Sequence, residues 1–84
     1  MTVKKNKVTV EIYGESYAVK GDAEIEQIER VAALIDERMR RTARSNPRLS
    51  TTKIAVLTAL NIADEFLRLE QDYRQLVQML KEGK

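Results

Sequence analysis

A chain of 84 residues with 43% hydrophobic and 33% charged content suits one small helix-rich domain whose core is modest, so association with another chain is an expected source of stability. With no Cys and no His, disulfides, thiolate chemistry and the usual zinc ligands are excluded together, which fits a reducing cytosol. Net charge is only +2, the N-terminal stretch MTVKKNKV reads as neither signal peptide nor anchor, and no run approaches the roughly 18 apolar residues of a membrane span.

Residues 1–6 are polar and are expected to be a mobile N-terminus. Val8, Val10 and Ile12 then alternate with Thr9, Glu11 and Tyr13, the period of a half-buried strand. Gly14-Glu15 fits a two-residue II′ turn with glycine at the position that needs positive φ. That turn pairs Tyr13 with Ser16, Ile12 with Tyr17 and Val10 with Val19. Val8, Val10, Ile12, Tyr17 and Val19 then share an apolar face, and Tyr13 points to the polar one. A one-residue slip would destroy this agreement. Because a lone hairpin is marginal in water, its apolar face needs a helix.

The first helix supplies it. Asp22 is the expected N-cap, and Ile25, Ile28, Ala32, Ile35 and Met39 step by three and four, with Val31 and Leu34 widening the stripe. Acids crowd the start of this helix and arginines its end, as the helix macrodipole favours. Glu26 and Arg30, Asp36 and Arg40, and Glu37 and Arg41 are spaced for i,i+4 pairs. Asn46-Pro47 ends the helix, since the residue before proline is driven out of the α region.

Ser50 is the expected N-cap of a second helix running to about Leu80, with Leu49 and Ile54 as a hydrophobic staple. Its first half carries two adjacent apolar stripes: Ala55, Ala59, Ile62 and Phe66 beside Val56, Leu60, Ala63 and Leu67. An arc so wide must be packed on more than one side. Past Leu67 a single seam continues through Leu69, Tyr73, Leu76 and Leu80, the alternating four and three spacing of a two-helix interface. Thr58, Asn61, Glu65, Arg68 and Asp72 read as its polar face. A body of this size is roughly 25–30 Å across, whereas about 32 helical residues span about 48 Å. The helix must project, and its seam calls for a second copy. The fold class is therefore α+β: an N-terminal β-hairpin plus helix, a ββα head over residues 7–67 that includes the start of the long helix, and a short coiled-coil extension over 68–84, in a homo-oligomer.

Catalysis has little to work with. Histidine base, cysteine nucleophile and Gly-rich phosphate loop are all missing, and Ser16, Ser45 and Ser50 sit at turns or caps. No cofactor, metal or small-molecule substrate is expected. What remains is a binding surface: Arg40, Arg41 and Arg44 on one side of the first helix, and Arg48 in the following loop. These arginines are either a solvated helix end that favours cations or an edge that docks an acidic protein partner. Docking on nucleic acid is a weaker alternative, because total charge is near neutral and no aromatic residues are interleaved with the basic ones. A generic coiled-coil adaptor fits the same physics. Tyr13 could serve as an aromatic contact anchor or simply pack against a helix, and Asn61 reads as a polar-face residue.

The segments VTVEIYGESYAV, VAALIDERMRR and NPRLSTTKIAVLTALNIADEFLRLE carry a further signal. Together they closely resemble the ZapA family of bacterial cell-division proteins, with KIAVLTALNIADE the most specific part and the similarity running from Val8 to Leu80. The resemblance implies a non-enzymatic cytoplasmic protein at the division site. It also implies binding to the tubulin-like GTPase FtsZ, cross-linking or bundling of its protofilaments in the Z-ring, and self-association through the long helix. The expected self-association residues are Ala55, Ala59, Ile62, Phe66, Leu69, Tyr73, Leu76 and Leu80, giving a dimer with a concentration-dependent tetramer.

Overall fold

The computed structural model describes residues 6–83, so the mobility expected of residues 1–5 lies outside the described residues. Asn6, expected to share that mobility, is instead the first residue of a strand, and its side-chain amide donates to the Ala23 carbonyl at 2.9 Å. The order is β1 (Asn6–Ile12), β2 (Glu15–Gly21), α1 (Ile25–Ser45) and α2 (Thr51–Glu82), the α+β arrangement expected.

The antiparallel hairpin differs from expectation at its turn. Ile12 pairs with Glu15, Val10 with Tyr17 and Val8 with Val19, so each β1 residue meets a partner two positions earlier on β2 than the II′ turn would give. Tyr13 and Gly14 are the turn residues, with φ of 51° and 83°, the doubly positive pattern of a I′ turn. Gly14 takes this conformation freely, whereas Tyr13 does not. Its backbone N–H is held by Asp36 Oδ1 at 2.7 Å, a bond reaching across from α1 that a local reading of the strand cannot contain. A slip of two preserves parity, so the apolar face survives as read.

Val10, Ile28 and Ala32 are buried together, with Val8, Ile12 and Val19 packed around them, so the N-terminal half of α1 covers the hairpin. Asp22 does not cap this helix. Asp22 and Ala23 instead form a bend, the Ala23 carbonyl accepts from the Asn6 amide, and the N-cap falls at Glu24, which makes no side-chain capping bond. At the other end, Asn46 closes α1: its N–H donates to the Ala43 carbonyl at 3.1 Å and its side-chain amide to the Thr42 carbonyl at 3.0 Å. Ser50 caps α2 as expected, its hydroxyl accepting from the Lys53 N–H at 3.3 Å.

The C-terminal half of α1 meets α2 along a narrow line. Met39, Ile54 and Thr58 are buried there, Ile54 to 1% exposure. Thr58, assigned from sequence to the polar face, is corrected to an interior position: its hydroxyl donates to Thr42 Oγ1 at 3.1 Å while Thr42 donates to the Arg38 carbonyl at 2.9 Å. A threonine whose hydroxyl finds a partner can be buried at little cost, and periodicity alone does not reveal that partner.

The result is open. α2, at 32 residues, is about 48 Å long, and the chain measures 52 × 44 × 15 Å with a radius of gyration of 17.1 Å. A compact domain of this length has a radius of gyration near 12 Å.

Candidate functional site

Two surfaces follow from the way α2 is seated. Since α1 touches the Ile54, Thr58 and Glu65 side of α2, both apolar stripes of the first half face outward. Val56 is 54% exposed, Leu60 61%, Phe66 61% and Leu67 59%. Ala55 and Ala59 are exposed and Ile62 is half-buried. The seam beyond is barer still, with Leu69, Tyr73, Leu76 and Leu80 all more than half exposed. Of the residues expected to mediate self-association, all but the half-buried Ile62 are thus left exposed by their own chain.

These residues do not form a flat patch. Ile35 and Met39 of α1 join Ala55, Ala59, Ile62, Ala63 and Phe66 of α2 around an almost purely apolar trough. Thr58 also lines it. The sequence places Ile35 and Met39 in the head core; Met39 is buried but Ile35 only in part, so they serve the trough as well. Tyr17, on the apolar face of the hairpin yet 46% exposed, lines a second hollow with Met39, Ala55 and Val56. The signal for both hollows was the excess width of the α2 stripe, and their walls depend on the crossing of α1 and α2.

Surface area sets the scale. The chain exposes 7372 Å², whereas a folded monomer of 9.7 kDa exposes about 5,100 Å². The excess of roughly 2,000 Å² per chain is well above the ~800 Å² that each partner contributes to a standard interface.

The arginine edge divides into two kinds of residue. Arg40 Nε lies 3.0 Å from Asp36 Oδ2, and its guanidinium sits 5.9 Å from the centre of the Tyr13 ring. Asp36 accepts from Tyr13 N–H with its other oxygen, so one carboxylate ties the hairpin tip to the helix. The Arg40 hydrogen bond, aided by that of Tyr13, holds the Asp36 carboxyl below the usual carboxylate range, and Asp36 in turn raises Arg40. Tyr13 therefore does not point to the open polar face: it is half-buried against α1. Arg41 pairs with Glu37 at 3.2 Å. Arg44 and Arg48 are exposed and have no carboxylate within 4.0 Å among the described residues. Glu26 and Arg30, though spaced for a pair, form none, whereas Asp64 and Arg68 do so at 3.1 Å.

Sequence reasoning missed Arg38. Both of its terminal nitrogens bond Glu65, at 2.6 and 2.7 Å, joining α1 to α2 across 27 positions of sequence. Those hydrogen bonds raise Arg38 and lower the Glu65 carboxyl below its ordinary range. No local spacing announces such a pair.

Comparison with known proteins agrees with this geometry. The family model described as "Cell division protein ZapA" matches residues 8–83. A cell division protein ZapA of Bacillus thuringiensis (strain Al Hakam) is 41% identical over 81 residues, covering 95% of this chain and 91% of the relative. One from Geobacillus kaustophilus (strain HTA426) is 42% identical over 80 residues, covering 95% and 88%. Among solved structures, a ZapA mutant dimer from Geobacillus stearothermophilus superposes with a TM-score of 0.74 at 40% identity, covering 93% of this chain and 91% of that one. Matched by the family model and by these relatives over nearly its whole length, the chain belongs to the ZapA family of cell division proteins.

Proposed function

We propose that this protein is a non-catalytic cross-linker: a homodimer, with a concentration-dependent tetramer, that binds FtsZ-type filaments through each head and bundles them at the bacterial division site in the cytoplasm. The observation that carries the reading is the uncovered apolar face of α2 on a chain of this family, because it makes pairing the economical state and pairing duplicates every other surface. Two weak contacts to a filament lattice then combine through effective concentration, and neighbouring filaments become linked. Neither a nucleotide nor a metal is required of the linker.

The filament contact is assigned to the arginine edge, with the weight on Arg44 and Arg48. Arg40 and Arg41 are neutralised by acids one turn back, whereas Arg44 and Arg48 can offer an undivided charge to carboxylates of a partner. That partial neutralisation also argues against nucleic acid as the partner, since phosphate binding draws on a concentration of free cations. Co-sedimentation with polymerised FtsZ tests the reading. Wild-type protein should pellet with filaments and thicken them, and R44E/R48E should stay in the supernatant with its dimer mass unchanged. Equal pelleting by that variant would remove these two arginines from the contact, and absence of wild-type pelleting would remove the function.

A further inference from the structure

The junction between head and rod is polar on one side and open on the other. On the open side lies the apolar trough. On the polar side stand the Thr42–Thr58 hydroxyl bond at 3.1 Å and, about two turns further along α2, the two-pronged Arg38–Glu65 pair at 2.6 and 2.7 Å. The buried apolar contribution at the crossing is slight, Met39 and Ile54. Within one protomer, two helices that meet over so few side chains leave much of their crossing angle to directional contacts. A planar guanidinium bonded twice to one carboxylate is directional in that sense, unlike apolar contact.

We propose that Arg38 and Glu65, braced by Thr42 and Thr58, are positioning residues that fix the angle between head and rod and so set the separation of the two filament-facing surfaces in the dimer. The lever is long. Of the 21 residues of α1, the stretch from its start to the Arg38–Thr42 elbow extends about 22 Å, with the hairpin packed along it, so a swing of about 10° at the elbow moves the far end by about 4 Å. A cross-linker with a loose elbow still dimerises and still binds, but holds filaments at irregular spacing. The angle itself follows from the geometry of this chain; its consequence for filament spacing rests on the cross-linking function proposed above.

The chain has no Cys, so two introduced cysteines give an unambiguous spin-label pair. Labels at Lys20→Cys in β2 and Gln71→Cys in α2, in dimers diluted with excess unlabelled protein, report the distance from head to rod within one protomer. The wild type should give a narrow distribution and E65Q one at least twofold wider, while a control pair within the head, Lys20→Cys with Glu29→Cys, keeps its width in both. An unchanged head-to-rod distribution in an E65Q protein of native helicity and dimer mass would overturn the proposal. If E65Q fails to fold, the wild type answers alone. Going from about 0.01 M to about 1 M salt shortens the Debye length from about 30 to about 3 Å, which should widen the head-to-rod distribution and not the control, and constancy of both would overturn it. None of these readouts requires a filament, so loss of FtsZ binding and loss of the elbow are separately visible.

Discussion

Phe66 offers the sharpest test of the apolar trough. It is 61% exposed in the protomer, and a phenylalanine buries on the order of 200 Å² when fully covered, so a partner can still remove roughly 120 Å² from water. Phe66→Ala keeps Cβ and forfeits about 100 Å² of that, or about 2.5 kcal/mol at ~25 cal/mol per Å². Symmetry doubles the loss in a two-fold dimer, to about 5 kcal/mol, which raises the dimer dissociation constant by three to four decades, at about 1.4 kcal/mol per decade. Heats of dilution in a calorimeter, taken from millimolar stock to low micromolar, measure this directly. The protomer itself gains little from Phe66, so helicity per chain should fall only as far as dissociation exposes the rod. A dissociation constant within threefold of wild type would refute the assignment of the trough as the pairing surface, whatever the oligomer proved to be.

Other substitutions probe the head. Thr58→Val removes the hydroxyl, bonded to Thr42, of a residue that is 3% exposed, and should cost about 1 kcal/mol, read as a fall in melting temperature of about 4–8 °C for a domain of this size. At the hairpin tip Gly14 has open space around it but φ of +83°, so Gly14→Ala should cost about 1 kcal/mol through backbone strain alone, without displacing neighbours. Asp36 and Glu65 both have their carboxyls lowered, chiefly by hydrogen bonds from Arg40 and Arg38. For a depressed acid the stabilisation is complete above the ordinary carboxylate pKa, near 4, and disappears as pH falls through the lower folded-state value. Melting curves between about pH 5 and pH 2 should therefore decline less steeply in D36N/E65Q than in wild type, and parallel declines would show that neither carboxylate is held as described.

Legibility from sequence followed the range of the interaction. The Asn46-Pro47 stop and the Ser50 cap are short-range patterns present in the structure, whereas of the α1 stripe Ile28, Ala32 and Met39 are buried and Ile25, Val31 and Leu34 stay exposed. The hairpin face is readable because parity is robust, whereas the turn is not, because Tyr13 takes a left-handed conformation supported by a bond from its N–H to Asp36, 23 positions away. Thr58 and Arg38 were misjudged or missed for the same reason: a buried hydroxyl and an ion pair depend on partners 16 and 27 residues away. In the candidate site, the seam from Ala55 to Leu80 was visible as a heptad, whereas the walls of the trough, Ile35 and Met39, needed the helix crossing. The arginines were visible as a block, but which of them have acids beside them was not. Glu37 and Asp36 were correctly spaced, and the freedom of Arg44 and Arg48 emerges only once their surroundings are known.

Sedimentation equilibrium of the wild-type chain at micromolar loading bears most directly on all of this, because the duplicated grips exist only if the rod is paired. A mass of twice the 9.7 kDa chain, or a dimer passing to tetramer as concentration rises, is the expected result. A mass of 9.7 kDa at native helicity would contradict it, since the exposed seam of α2 would then be stable in water with no partner to cover it.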